Sequence, residues 1–285
     1  KIAKPGSLIV IESSVYVGAT RELFTEFLNK NIYVGFSPER VDPGRIEPPM
    51  EDIPKVISGL TEQSLEKIKE IYSKVIKNIV PVSSCESAEM CKLYENCFRM
   101  VNIAYVNEIA DMCEYLKIDA HEVINAAATK PFGFMPFYPG IGVGGHCIPV
   151  NPYYLFKTGN LPVLRYATEI TKTRPRKKVK EIILKHPHSK NILICGIGFK
   201  KGESLTTNSP AYDMLKEFNK KGYNVMGYDT NVQKEYTKDD IKFLNKSDFN
   251  IENIRDKFDV VIVNYCLSEH DIEVIKNSNV ETVYF

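Results

Sequence analysis

The segment Tyr138-Pro-Gly-Ile-Gly-Val-Gly-Gly-His-Cys-Ile-Pro149 sets four glycines within six positions, Gly140 to Gly145, just ahead of a thiol. Glycines let backbone N–H groups come close to a ligand. A cysteine that follows them is suited to attack a carbonyl carbon, provided its surroundings favour the thiolate. A glycine turn leading into a buried structural cysteine has the same outline, and adjacency in sequence does not aim the ring of His146 at the sulfur of Cys147. A second group, Lys92, Glu95, Asn96 and Arg99, falls at helical spacing and shares one helix face. On composition alone it reads as a solvated stripe with a Glu95–Arg99 pair. Ser37-Pro-Glu-Arg40 reads as a turn after a strand, with Glu39 exposed. Cys85, Cys91 and Cys97 recur every six residues, but six helical steps rotate about 240° and scatter the thiols, so buried hydrophobes are the preferred reading and no metal site is expected.

These residues need elements to hold them. Leu8-Ile-Val-Ile11 reads as a buried strand, followed by a helix over 20–30 and strands over 32–36 and 56–59. A helix over 62–76 and a strand over 78–82 complete an alternating α/β layer. Residues 86–116 hold no Pro or Gly and carry an apolar stripe at helical spacing, predicting one long helix that could face a second subunit or the chain's own core. A helix near 121–128 precedes the loop 130–151. Residues 160–185 read as helix interrupted at Thr173-Arg-Pro175. Asn191-Ile-Leu-Ile-Cys-Gly-Ile-Gly-Phe199 then opens a second unit with the outline of a dinucleotide-type βαβ: a helix over 211–221, a strand over 224–228 and Asp229 at its end. The third glycine of that fingerprint is missing. A further strand begins at Val260.

The bulk properties restrict the partners. The 285 residues are 44% hydrophobic and 26% charged, enough for a substantial core and about two domains. Lys and Arg total 37 against 36 for Asp and Glu, so charge gives no reason to expect nucleic acid or an anionic membrane. Apolar runs fall far below the roughly 20 residues that span a bilayer. Seven cysteines, an odd number, suit a reducing compartment, and a cytoplasmic location is expected.

Taken in order, several segments resemble the UDP-glucose/GDP-mannose dehydrogenase family: Glu12-Ser-Ser-Val-Tyr-Val-Gly18, Phe36-Ser-Pro-Glu-Arg-Val-Asp-Pro-Gly44, Ser87-Ala-Glu-Met-Cys-Lys-Leu-Tyr-Glu-Asn96, Asn102-Ile-Ala-Tyr-Val-Asn-Glu108, Gly142-Val-Gly-Gly-His-Cys-Ile-Pro149, and Gly196-Ile-Gly-Phe-Lys200 with Ser209-Pro-Ala211. The resemblance implies two Rossmann-like α/β domains joined by a long central helix. Residues 1–84 would form the C-terminal part of an NAD-binding domain whose start lies outside this sequence. Residues 85–185 would form a central helical domain with the cysteine loop, and 186–285 a Rossmann-like domain for the UDP-sugar. It further implies oxidation of a nucleotide sugar at C6, from alcohol to carboxylate, with two NAD⁺. The wording of the cysteine loop and of the Lys92–Asn96 helix is most like the UDP-N-acetylhexosamine members; UDP-glucose oxidation and a non-catalytic sugar-nucleotide-binding protein are the alternatives.

By that resemblance Cys147 would be the nucleophile, lying beside the cofactor. Lys92 and Asn96 would stabilise developing negative charge. Glu39 would act as acid/base through a bound water, and Ser14 would stand near the cofactor and that water. Gly142, Gly144 and Gly145 would admit the sugar and its phosphates, with Arg99 and Lys200 also contacting substrate. A homodimer through the central helix is implied. Two departures from the pattern stand out: Asn151 where the family usually has Asp, and Thr207 where an Arg is expected before Ser-Pro-Ala. An amide cannot take up a proton as a carboxylate does, so release of the product from Cys147 is expected to be slow. Losing the guanidinium removes a bidentate contact to the nucleotide or partner subunit.

Overall fold

The computed structural model describes residues 3–41, 47–232, 241–265 and 268–285. Asp42, Pro43 and Gly44 of the second matching segment lie outside the described residues. The chain forms two compact units, Lys1–Phe98 with Val150–Leu161, and Arg99–Pro149 with Pro162–Phe285.

In the first unit, strand β1 (Leu8–Ile11) leads to helix α1 (Ala19–Phe24), and β2 (Tyr33–Phe36), β3 (Lys55–Gly59), helix α2 (Glu62–Tyr72) and β4 (Ile79–Pro81) follow. The sheet order is β1-β2-β3-β4, with β1 and β2 parallel, β2 and β3 antiparallel, and β3 and β4 parallel. Apolar β-branched residues make these strands, and Val34, Phe36, Val56 and Ile57 are buried. Thr61 starts α2 by accepting the N–H of Ser64 on its hydroxyl. The helix expected over 20–30 ends at Phe24 and tightens into a 3-10 turn over Thr25–Lys30.

Helix α3 (Cys85–Leu116) runs without a break, as its lack of Pro and Gly predicts, and the boundary between the units falls within it after Phe98. Helix α4 (Ala120–Ala128) belongs to the second unit, α5 (Asn151–Phe156) to the first, and α6 (Pro162–Lys185) to the second. The interruption expected at Pro175 does not occur. The proline sits buried inside α6. Its missing N–H leaves the Thr171 carbonyl without the usual helical donor. The neighbouring Arg174, tied by hydrogen bonds to Gly140 and Asp111, supplies contacts that hold the helix through this point.

The remainder of the second unit is a five-stranded parallel sheet: β5 (Asn191–Cys195), helix α7 (Pro210–Lys220), β6 (Asn224–Tyr228), β7 (Lys242–Phe243), helix α8 (Ile251–Lys257), β8 (Val260–Val263), helix α9 (Glu269–Ser278) and β9 (Glu281–Tyr284). Its order, β7-β6-β5-β8-β9, reverses direction at β5, the arrangement of a doubly wound nucleotide-type fold. Both faces of the central strands are covered, which explains their continuous apolar runs. Ile192, Ile194, Val260 and Ile262 pack toward Leu215, Phe218 and Ile182; Leu193, Val261 and Val263 pack toward Ile254, Phe249 and Ile275. Among the described residues, no helix is long and apolar enough to cross a membrane.

Candidate active site

The cysteine loop belongs to the second unit and is anchored at both of its ends. At its start the Gly140 N–H donates to Asn107 Oδ1 at 2.9 Å, and Arg174 Nε donates to the Gly140 carbonyl at 2.8 Å. Arg174 is itself fixed by a bidentate pair with Asp111, both contacts 2.9 Å, and Lys177 and Lys178 reach the same carboxylate at 2.8 Å. Burial works against the charge on Asp111, but the hydrogen bonds from Arg174, Lys177 and Lys178 outweigh it and hold the carboxyl far below the ordinary carboxylate range.

At the loop's far end the Gly145 N–H donates to the Thr207 carbonyl at 3.1 Å, and Asn208 Nδ2 donates to the Gly145 carbonyl at 2.9 Å. Gly145 has φ +87°, in the left-handed region, and a Cβ on Gly144 would lie 2.7 Å from Cβ of Phe199. Glycine is required here because the loop lies flat against Phe199 and Pro210. Ile141 and Ile148 are buried on either side, whereas His146 and Cys147 are exposed. The thiol is thus carried on a fixed backbone and reachable. Lys200 follows Phe199 directly and is exposed. The contact from Thr207 uses only its carbonyl, so the residue type at that position does not affect this anchor.

In the first unit, Ser14 and Glu39 lie beyond the carboxyl ends of the parallel strands β1 and β2. The Ser37 and Glu39 N–H groups donate to the carbonyls of Ile11 and Glu12 at 3.0 and 3.3 Å, which ties the two loops side by side. Ligands of open α/β sheets bind beyond the carboxyl ends of strands, so Ser14, which is half-buried there, fits a place beside a dinucleotide. Glu39 Oε1 accepts the N–H groups of Arg40 and Val41, both at 2.6 Å, and Lys55 Nζ lies 3.2 Å from Oε2. Burial opposes its ionisation, but the Val41 N–H and Lys55 prevail and lower the carboxyl below its usual range.

On α3, Lys92 is half-buried, Asn96 is buried and Arg99 is exposed. Asn96 Nδ2 donates to Asn151 Oδ1 at 2.5 Å, and Asn151 is itself buried at the start of α5. An amide at 151 therefore keeps the acceptor that orients Asn96 and gives up the negative charge. Glu95 pairs with Arg40, not with Arg99, so the expected stripe is tied to the Ser37–Arg40 turn. The buried carboxylate of Glu89 accepts the N–H groups of Gly18 and Thr20 at 2.6 and 2.8 Å, which fastens the start of α1 to α3.

The glycine turn after β5 is organised differently. Asp229 Oδ2 accepts the N–H groups of Ile197 and Gly198 at 2.8 and 3.0 Å and the hydroxyl of Tyr265 at 2.8 Å. The acidic residue that meets a ribose in a dinucleotide site here bonds the turn's own N–H groups. Tyr265 also lies close over Gly196 and Gly198.

Asn107, Asp111, Arg174, Asn208 and Lys55 were not expected from the sequence to matter. Asn107 stands inside one matching segment, and Arg174 precedes a proline within helical periodicity; both were signals, but neither names a partner. Among the described cysteines, Cys85, Cys97, Cys113 and Cys195 are buried, Cys91 is half-buried and Cys147 is exposed.

Comparison with known proteins gives a consistent result. Residues 1–76 match the NAD binding domain of the UDP-glucose/GDP-mannose dehydrogenase family, and residues 86–173 match the central domain of the same family. The chain is 35% identical over 271 residues to a UDP-N-acetyl-D-mannosamine dehydrogenase of Methanocaldococcus jannaschii, covering 93% of this chain and 60% of that protein. It is 35% identical over 250 residues to a UDP-N-acetyl-D-glucosamine 6-dehydrogenase of Salmonella typhi, covering 81% of this chain and 58% of that protein. The chain therefore spans at most about 60% of the length of these curated relatives. The solved structure of a UDP-D-ManNAc dehydrogenase from Pyrococcus horikoshii superposes with a TM-score of 0.80 at 26% identity, covering 99% of this chain and 73% of that one.

Proposed function

The chain belongs to the UDP-glucose/GDP-mannose dehydrogenase family, and from that premise we propose that the protein carrying it oxidises C6 of a UDP-N-acetylhexosamine to the uronic acid with two NAD⁺. The observation that carries this reading is the exposed thiol of Cys147 on a glycine loop whose two ends are fixed. NAD⁺, when bound, accepts hydride from C6 at each of the two oxidations. Ser14 would face the cofactor, and Cys147 would lie beside it.

The chain's own residues carry the rest. Glu39, through a water, takes the proton from the C6 hydroxyl as the alcohol becomes an aldehyde. The Cys147 thiolate adds to the aldehyde carbon, and the resulting oxyanion is stabilised by the Lys92 ammonium and the Asn96 amide N–H. Loss of the second hydride leaves a thioester. Water then attacks its carbonyl carbon and the carbon–sulfur bond breaks, giving the carboxylate and restoring the thiol. Asn151 holds Asn96 in orientation during these steps, but it cannot take the proton of the attacking water. Arg99, Gly142, Gly144, Gly145 and Lys200 would contact the sugar nucleotide. An odd number of cysteines and a nicotinamide cofactor suit a cytoplasmic setting.

On α3, Phe98, Tyr105 and Met112 repeat every seven residues and are exposed, flanked by exposed Tyr94 and Leu116. An apolar stripe of that length on a soluble helix suits a homodimer.

The test is the full-length protein with UDP-N-acetylglucosamine, UDP-N-acetylmannosamine and UDP-glucose supplied separately. Two NADH per N-acetylhexosamine support the assignment. Two NADH from UDP-glucose alone would overturn the substrate, and nucleotide-sugar binding without NADH would make the protein a non-catalytic binder.

A further inference from the structure

Lys55 is an unusual residue to find inside a strand, because a buried ammonium is costly unless its charge is met. On β3 it is only 7% exposed. Its Nζ lies 2.9 Å from Glu12 Oε1 and 3.2 Å from Glu39 Oε2, and 5.3 Å from the centroid of the Tyr72 ring. Tyr72 in turn donates its hydroxyl to the same Glu12 oxygen at 2.5 Å. Glu12, Glu39, Arg40, Lys55 and Tyr72 line one cavity of about 300 Å³ in the first unit.

The geometry at Glu39 shows what the ammonium does. Oε1 is pinned by the N–H groups of Arg40 and Val41, while the side-chain contact to Oε2 comes from Lys55. Backbone bonds to one oxygen leave the carboxylate free to swing the other, and the ammonium removes that freedom. Among the described residues, the other charged groups that line this cavity, Glu12 and Arg40, are already engaged. Glu12, from the end of β1, is shared between Lys55 and Tyr72 of α2, and Arg40 is drawn to Glu95 of α3. Tyr72 is held protonated, first by burial and then by Glu12, so it adds no negative charge here.

We propose that Lys55 is the positioning residue for Glu39: its ammonium, braced from the other side by Glu12 over the Tyr72 ring, fixes the orientation of the Glu39 carboxylate and keeps it ionised, ready to accept a proton. The proposal rests on the acid/base role of Glu39 given above. A buried ion pair of purely structural use would alter stability and leave the pH dependence of turnover where it was.

The experiment compares native full-length protein with Lys55→Met, Lys55→Arg and Glu39→Gln, measuring kcat and KM against pH alongside a thermal melt. For Lys55→Met, removing a cation within hydrogen-bond reach should raise the Glu39 pKa and move the acidic limb of the kcat profile up by about one pH unit. The maximum kcat should fall about tenfold with KM within about twofold, since a loosened base costs rate and not binding. Lys55→Arg keeps the charge and should return the limb close to its native position. A ¹³C-carboxyl titration of Glu39 in the native protein and the Lys55 variants reads the pKa change without turnover; should Lys55→Met not fold, Lys55→Gln carries the same expectations. A native pH profile and a native Glu39 titration in the neutral variant, with Glu39→Gln inactive, would overturn the role of Lys55. Activity retained in Glu39→Gln would instead overturn the assignment of Glu39, and the proposal with it.

Discussion

The second unit contains two glycine-rich turns, each with a cysteine beside it, and they have opposite fates. In Gly140-Ile-Gly-Val-Gly-Gly145, two residues before Cys147, the anchors lie at the two ends of the glycine run, on Gly140 and Gly145, and the cysteine is exposed. In Cys195-Gly-Ile-Gly198 the anchor is at the centre, where Asp229 takes the turn's N–H groups and Tyr265 lies over it, and the cysteine is buried. Glycine spacing therefore marks a close approach without saying what approaches. For the first turn it is Phe199 and Pro210 from one side, with the thiol left open on the other; for the second it is the protein's own carboxylate and phenol.

If end-anchoring holds the cysteine loop, its largest single support is Asp111, which fixes Arg174. Asp111→Asn leaves a buried guanidinium and the buried Lys178 short of charge, and should cost about 3 kcal/mol at neutral pH by urea unfolding. The sign with pH follows from the depressed folded pKa. The contribution of Asp111 is complete above the unfolded-state value of about 4 and is lost as pH falls toward the lower folded value. The gap between native and variant should thus narrow below about pH 4, and a gap that stayed constant down to pH 3 would remove the ion network from the account.

Alkylation reads the open and closed turns directly. Cys147 should react with iodoacetamide at least about 100-fold faster than Cys195, whose modification needs local opening of a packed strand. Comparable rates would dissolve the distinction. Asp229→Ala removes the acceptor of two N–H groups and one hydroxyl in a half-buried setting, and should destabilise the chain by about 2 kcal/mol; loss of under 0.5 kcal/mol would mean the second turn does not depend on its carboxylate. The smallest effect sharpens the first turn. Gly144→Ala forces a Cβ against Phe199 and should cost about 1.5 kcal/mol, whereas Gly140→Ala, with nothing within 4 Å of the new atom, should be near neutral. Equal melting temperatures for the two variants would contradict the packing described.

Much of this architecture was legible from pattern. The strands β5 and β8 are buried on both faces and read as unbroken apolar runs, and α3 contains nothing that could stop it. Pro175 was misleading because helix propensity is local, while the bonds from Arg174 reach Asp111 and Gly140, 63 and 34 residues away in sequence. Asp229 is the same letter whether its carboxylate meets a ribose or a turn, and the choice is expressed through Tyr265, 36 residues on. The partner of Glu95 was missed for a similar reason: spacing along one helix proposed Arg99, and a turn from another part of the sheet supplied Arg40. At the candidate site the residue types were readable, but what fixes them was not. Asn107, Arg174 and Lys55 act on their neighbours through tertiary contacts that no local pattern records.

The central claim is that Cys147 carries the second oxidation, and counting NADH tests it most directly. Full-length native protein should yield two NADH per UDP-N-acetylhexosamine consumed, and Cys147→Ala, equally folded by thermal melt, should yield no uronic acid. Two NADH and a full yield of uronic acid from Cys147→Ala would contradict it.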